Sequence, residues 1–307
     1  MTKLITNVKN SKQYIYIITI ASMLFWGMAF IWMKIVLQYY QPITVATLRI
    51  FLSSIFLLFY IKLFKKCQKI DKSDYKLFLI SAFFNPFIYF LLESYGIKYV
   101  SPTISAVIIA TIPLFSPLVA YFSVKEKLSL LNIFGIIVSF FGILIMLVNK
   151  DLSLRADPIG VLILFLAVAS ALIYTVLLVK LTRKYSSVNI ITYQNIIGIF
   201  YFLPLFFYFD FNNFISVKPN FELISSLVFL SILCSSLAFI FYATSIKNLG
   251  ISKTNVFTNF IPVFAAIFSY FILAEVFTFS KILGIVIVIV GVFVSQIKKY
   301  KKPQRND

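Results

Sequence analysis

The chain has 307 residues, of which 61% are hydrophobic and only 12% charged, and its mean hydropathy is +0.97. A water-soluble domain carries about 25% charged residues, so this composition cannot cover a surface facing water and excludes a soluble enzyme. The formal charge of +18, from 28 Lys and Arg against 10 Asp and Glu, raises nucleic-acid binding until the positions of those charges are examined.

No histidine is present, which excludes imidazole metal ligation, Ser-His catalysis and His proton relays. Cys67 and Cys234 stand far apart with no Cys-x-x-Cys pair, so neither a metal site nor a disulfide framework is predicted. No glycine-rich nucleotide loop occurs, leaving ATP-driven pumping by this chain without support, and no cofactor is expected.

A membrane-crossing helix needs about 20 mostly apolar residues. In chain order, that length predicts spans at 14–36, 44–61, 77–97, 102–123, 131–148, 159–180, 189–209, 222–246, 254–274 and 280–297. The longest polar intervals, 62–76, 210–221 and 298–307, are too small for a soluble domain. The whole chain is therefore predicted to lie in the lipid bilayer. The first span follows Lys9 and Lys12, as the core of a signal peptide would. It is too long for such a core and lacks a small-residue cleavage site, so it is predicted to remain as a helix.

The Lys and Arg residues alternate between the two sides. The N-terminal segment, the connections after even-numbered spans and the C-terminal segment hold 21, and the connections after odd-numbered spans hold five. Lys34 and Arg49 lie within spans. Cytoplasmic connections retain the positive residues, so both termini are predicted to be cytoplasmic. The basic charge thus reads as an orientation signal, and no nucleic-acid partner is expected.

The second half repeats the first. At an offset of 149 residues, Ile97-Lys98 matches Ile246-Lys247, Pro113 matches Pro262, and Tyr121-Phe122 matches Tyr270-Phe271. Glu126 matches Glu275, Gly135 matches Gly284, and Gly142 matches Gly291. A duplicated unit of five spans has an odd number of crossings, so the second copy must lie upside down relative to the first. Inverted repeats are a common architecture of secondary transporters, with the binding site near the midplane between the halves. One chain then contains both halves, and a monomer suffices for function.

These residues carry a resemblance. Trp26-Gly27-x-x-Phe30-x-x-x-Lys34, then Pro42-x6-Arg49, followed by the doubled Pro-Glu-Gly-Gly ending, resembles the EamA domain of the drug/metabolite transporter superfamily. It covers nearly the whole chain as two units, 14–148 and 159–297. The second opens differently, with Ala171-Leu172 in place of Trp-Gly and Gln194 in place of Arg49. The resemblance implies an all-α integral membrane protein with ten transmembrane helices as two inverted five-helix repeats. It also implies a secondary carrier in the bacterial inner membrane that exports amino acids or other small metabolites.

Charges inside spans are costly and point to function. Lys34, Arg49 and Glu93 fall at similar predicted depth, toward the outer side, as a cluster able to hold the halves together or bind a zwitterion. Glu93 is the acid well within a span and the natural proton-coupling group. Polar stripes at four-residue spacing should face a cavity or a neighbouring helix, because lipid offers no hydrogen bonds. Asn85, Tyr89 and Glu93 form one such stripe, and Thr254, Asn255, Thr258 and Asn259 another. Ser170, Tyr174, Gln194, Asn195, Ser235 and Tyr242 add polar groups in other spans. The predicted binding set is Arg49, Asn85, Tyr89, Glu93, Asn255 and Asn259.

Pro86, Pro113, Pro117 and Pro262 should kink their helices, with Pro113 and Pro262 as equivalent pivots. The paired glycines should pack spans 5 and 10 closely. Asp71 and Asp74 read as ordinary solvated charge, and Glu126 and Glu275 as interfacial anchors. The alternative function is an integral-membrane enzyme acting on a lipid-linked substrate, for which the few acids give no obvious catalytic pair.

Overall fold

The computed structural model describes residues 2–115, 129–148 and 155–295. Among these every regular element is helical. We number the helices α1 (Thr2–Val36), α2 (Pro42–Leu63), α3 (Lys72–Tyr99), α4 (Pro102–Phe115), α5 (Leu130–Leu147), α6 (Pro158–Thr182), α7 (Ser187–Ser216), α8 (Phe221–Leu249), α9 (Ile251–Phe257 and Phe260–Leu273) and α10 (Phe279–Ser295). Eight are long and apolar enough to cross a membrane, while α4 as described and α10 are shorter apolar helices. Positions 116–123 of the fourth predicted span, with Pro117, Tyr121 and Phe122, lie outside the described residues, as does Glu126.

Local sequence sets the helix ends. Pro42, Pro102 and Pro158 each stand in the first turn, where the missing N–H has no partner to lose. Asp157 caps α6 by accepting from Ile159 N at 2.8 Å, and Asn220 caps α8 by accepting from Leu223 N at 2.8 Å. Ser129 and Asn132 form a reciprocal capping box on α5. Helix α8 stops at Gly250, whose φ of +82° a side chain would strain.

Packing follows the repeat. Helix α1 lies against α8 and α9 of the second half, and α6 lies against α3 and α4 of the first. The two halves also meet where α2 packs on α7, α4 on α9 and α5 on α10. Helices α5 and α10 run antiparallel at the closest approach, with Gly142 facing Gly284 and Gly135 facing Gly291. A methyl group at Gly142 would lie 2.8 Å from Val288 N. Large apolar side chains such as Leu130, Phe209, Phe271 and Phe279 project outward, as they would toward lipid.

Five helices depart from regular geometry, among them α7, which has a wide turn at Phe206–Asp210. Helix α3 has a wide turn at Phe83–Ile88 with Asn85 in an extended conformation, and α8 has one at Leu230–Leu237. Equivalent helices thus widen at equivalent heights. The Ser170 hydroxyl donates to Phe84 O at 2.7 Å, satisfying backbone that the wide turn exposes. Helix α9 breaks at Thr258–Asn259, just before Pro262, and α4 breaks at Ala110–Thr111, just before Pro113.

Polar contacts tie the connections together. Asp71 and Asp74 are not simply solvated, because Lys184 of the other half reaches both, at 2.5 and 2.6 Å. The Tyr185 hydroxyl also donates to Asp74 at 2.6 Å. Asp210, buried at the wide turn that continues α7, accepts from Thr44 N at 2.9 Å and so caps the start of α2.

Candidate functional site

A cavity with ≈ 630 Å³ of empty space lies between the halves. The first half lines it with Trp26, Phe30, Arg49, Asn85, Tyr89 and Glu93, among others. The second contributes Ala171, Tyr174, Thr175, Phe239, Tyr242, Thr258 and Ile261. Trp26 and Ala171, Ala29 and Tyr174, and Phe30 and Thr175 are related by the same 145-residue offset as Arg49 and Gln194. All six line the cavity, so the two halves present equivalent helix faces to it.

The centre of the site is a buried ion pair. Arg49 Nη1 lies 2.8 Å from Glu93 Oε2, with 1% and 6% of the side chains exposed. Arg49 Nε donates to Ser235 Oγ at 2.5 Å, and the guanidinium carbon stands 3.8 Å above the Phe90 ring centroid. The Tyr89 hydroxyl donates to Glu93 Oε1 at 2.9 Å, so both carboxylate oxygens are held. Placing two charges in a low-dielectric interior is tolerated only when each is paired and hydrogen-bonded. The stripe on α3 sets Tyr89 one turn before Glu93, and the wide turn of α8 brings Ser235 to the guanidinium.

Ser235 in turn donates to Leu230 O at 2.9 Å, which fixes the oxygen that receives Arg49. The second half carries no matching charge. Gln194, the counterpart of Arg49, donates to Ser81 at 2.6 Å and accepts from Tyr174 at 3.3 Å. Nearby, Asn195 donates to Ser53, which bonds to Ser236 at 2.6 Å, stitching α7 to α2 and α8. The cavity therefore combines one internally neutralised pair with three tyrosines, a tryptophan and apolar rings.

Four of the six sequence-predicted binding residues, Arg49, Asn85, Tyr89 and Glu93, lie on this wall. Asn255 and Asn259 do not. Asn255 stands behind Tyr242 and accepts from its hydroxyl at 3.0 Å, while Asn259 is buried with neither amide atom hydrogen-bonded. Tyr242 stands between Asn255 and the cavity, and the break in α9 accounts for Asn259. Thr258 N bonds to Asn255 O and Ile261 N to Thr258 O, a three-residue spacing that aligns Thr258 with Ile261 and carries Asn259 off that face. Thr258 and Ile261 thus reach the cavity from that helix.

Lys34 also stands apart from the predicted Lys-Glu-Arg cluster. Its ammonium donates to Ile97 O at 2.9 Å and to the carbonyls of Lys98 and Val100, closing the end of α3. Glu275 is more than an interfacial anchor, since it accepts from Ser101, Thr103, Ser269 and Lys281. Thr175 and Phe239 were not singled out by sequence, and neither carries a charge or a polar stripe that would mark it. Among the described residues no group of three or more His, Cys, Asp or Glu is placed to hold a metal ion.

The profile of the EamA-like transporter family matches residues 13–148 and again residues 158–296. The chain belongs to the EamA-like transporter family. An uncharacterized transporter of Bacillus subtilis, YetK, is 26% identical over 292 residues, covering 94% of this chain and 88% of its own length. An uncharacterized transporter of Archaeoglobus fulgidus is 25% identical over 294 residues, covering 95% of this chain and 100% of its own. A solved crystal structure shares the fold with a TM-score of 0.67 at 15% identity, over 92% of this chain and 98% of that one. The EamA protein described here is thus a multi-pass membrane protein built from two repeats, and its family points to transport instead of catalysis.

Proposed function

We propose that this EamA protein is a secondary transporter that exports a small organic metabolite, an amino acid or related solute, by alternating access between two inverted five-helix halves. The observation that carries this reading is the Arg49–Glu93 pair on the wall of a cavity shared by both halves. A polar solute entering it meets a guanidinium already oriented by Ser235 and Phe90, with Asn85 and Tyr89 beside it. Apolar and aromatic walls with a few convergent polar groups are the usual makeup of a small-molecule site. The antiparallel packing of α5 on α10 supports inversion, and the ten apolar helices support ten crossings.

The distribution of Lys and Arg favours both termini in the cytoplasm of a bacterial cell, with the protein in its inner membrane. A single chain supplies both halves of the cavity, so the monomer is the proposed functional unit. The deciding experiment is efflux from cells preloaded with labelled amino acids, nucleosides and toxic analogues. At least one solute should leave faster when the protein is expressed, and Arg49→Ala should abolish the difference with protein still in the membrane. Identical efflux with and without the protein, across the whole panel, would overturn the reading.

A further inference from the structure

The hydrogen-bonding groups on the cavity wall are sorted by half. On the first half, three groups carry N–H hydrogens that accept no partner among the described residues. Arg49 commits Nε to Ser235 and Nη1 to Glu93, which leaves Nη2. Asn85 is only 5% exposed and lines the cavity, yet its amide makes no hydrogen bond to a described residue. Its amide atoms open onto the cavity, unlike those of Asn259, which are sealed in protein. Trp26 touches Phe239 and Tyr242 through its ring and keeps its indole N–H uncommitted.

The second half presents hydroxyls whose single proton is already committed. Tyr174 donates to Gln194 at 3.3 Å and Tyr242 to Asn255 at 3.0 Å. Thr175 donates to Ala171 O at 2.8 Å and Thr258 to Asn255 O at 2.7 Å. A hydroxyl has one donor and two lone pairs, so each of these four shows the cavity an acceptor. The sorting follows divergence of the repeat. At the 145-residue offset Trp26 and Arg49 become Ala171 and Gln194, and at the 149-residue offset Asn85 becomes Cys234. In the other direction Tyr174, Thr175 and Thr258 stand where the first half has Ala29, Phe30 and Ile109. Tyr242 occupies the position of Glu93, whose two oxygens are engaged by Arg49 and Tyr89.

We propose that the cavity selects a net-neutral zwitterion and holds it in one orientation, its carboxylate on Arg49 Nη2 and Asn85 Nδ2 of the first half and its ammonium against the hydroxyl oxygens of the second. The inference rests on the transporter reading and deepens it, by fixing the charge state of the solute and its two contacts. Arg49 and Glu93 already sum to zero, so a solute with net charge would sit uncompensated in a low-dielectric interior. A zwitterion adds no net charge. Its carboxylate meets charge-assisted N–H donors. Its ammonium meets lone pairs together with the faces of Phe239 and Tyr242, which attract a cation.

Binding to purified protein in lipid nanodiscs tests this without transport. Trp32→Phe leaves Trp26, on the cavity wall, as the one remaining tryptophan, and its fluorescence reads occupancy. The probes are L-leucine, L-methionine and L-threonine, each beside its carboxamide, a cation, and its deaminated acid, an anion. At least one amino acid should bind about tenfold or more tighter than both of its derivatives, the usual scale for a hydrogen bond to a charged group. Asn85→Asp puts a carboxylate where the solute's own carboxylate belongs. It should weaken the amino acid by about tenfold and spare its carboxamide, reversing the preference.

Thr175→Val with Thr258→Val removes two acceptors from the opposite wall with little change in shape. This variant should weaken the amino acid by about tenfold and leave the deaminated acid unchanged. Each variant thus keeps one probe, which a misfolded protein would not. Equal binding of an amino acid and its derivatives overturns the proposal, as does the absence of binding by all three amino acids. So does a uniform loss of all probes in both variants. A solute that responds in the efflux panel without this pattern would leave the transporter standing and remove the two poles. The pattern without any efflux would remove transport and leave the binding site.

Discussion

Gly135 of α5 lies against Gly291 of α10, although Gly284 is its counterpart in the repeat. Equivalent helices in parallel would bring equivalent glycines together. Exchanged partners require the helices to run in opposite directions, which is the relation that inverted halves impose. The seam leaves no room for a side chain, because a Cβ at Gly291 would meet the Ser139 backbone nitrogen at 2.6 Å and Gly135 O at 2.8 Å. Backbone cannot rotate aside as a side chain can.

Gly291→Ala should therefore destabilise the protein by about 1–3 kcal/mol, the usual cost of overpacking a tight contact. Thermal unfolding of purified protein measures this as a lower midpoint. Gly250→Ala is the contrasting control, since no atom lies within 4 Å of its Cβ position and only its φ of +82° opposes the change. Equal effects from a space-filling and a purely conformational substitution would be unexpected, and an unchanged midpoint for Gly291→Ala would contradict the seam.

The Arg49–Glu93 pair separates stability from transport. Removing one partner leaves the other charge buried without compensation, which costs about 3–5 kcal/mol, while replacing both with apolar groups is often neutral. Arg49→Ala and Glu93→Leu should each lower the unfolding midpoint, and the double variant Arg49→Met, Glu93→Leu should recover most of the loss. Transport of a responsive solute should stay abolished in all three. Recovery of transport by the double variant would make the pair a structural tie alone.

The Lys184 clasp gives a pH dependence whose sign is fixed. The hydrogen bond from Lys184 and that from Tyr185 hold the Asp74 carboxyl below its ordinary range, and Asp71 and Asp74 push the Lys184 ammonium up. A carboxylate with a lowered folded-state value stabilises fully above its ordinary pKa of about 4 and loses that contribution as pH falls through the lowered value. The lysine's contribution is complete below its ordinary pKa of about 10.4 and is lost only as pH rises through the raised value. The midpoint difference between the parent and Asp74→Asn should thus be steady from about pH 5 to 9 and shrink toward acid. A difference that grows on acidification would reverse the assignment.

Much of this architecture is legible in sequence because lipid is an unforgiving solvent. Apolar runs mark the helices, and an ion pair inside two of them has few uncharged explanations, so Arg49 and Glu93 stand out. The failures share a different cause. Asn255 and Asn259 look like one face only if α9 keeps a four-residue spacing, and the break at Thr258–Asn259 removes it. Asp71, Asp74 and Asp210 sit in connections or at a helix end, where nothing local announces Lys184 or Thr44 more than a hundred residues away. Thr175 and Phe239 reach the cavity through helix rotation, which an almost uniformly apolar helix does not encode.

Pro262 offers the sharpest test of whether the break in α9 serves the cycle. Proline has no N–H to return to Thr258 O, and that carbonyl accepts from Ile261 N at 3.0 Å instead. Pro262→Ala supplies the missing donor and relieves the ring's clash with the preceding turn, so α9 can run straight through Thr258 and Asn259. A continuous helix would gain backbone hydrogen bonding and turn Thr258 and Ile261 away from the cavity they now line. The expected pair of results is a raised unfolding midpoint, by a few degrees for a gain of about 1 kcal/mol, with slowed transport of any responsive solute. Pro113→Ala in α4 should act in the same direction, since Pro113 follows the equivalent break. If Pro262→Ala transports at the parent rate, the break is a packing feature alone.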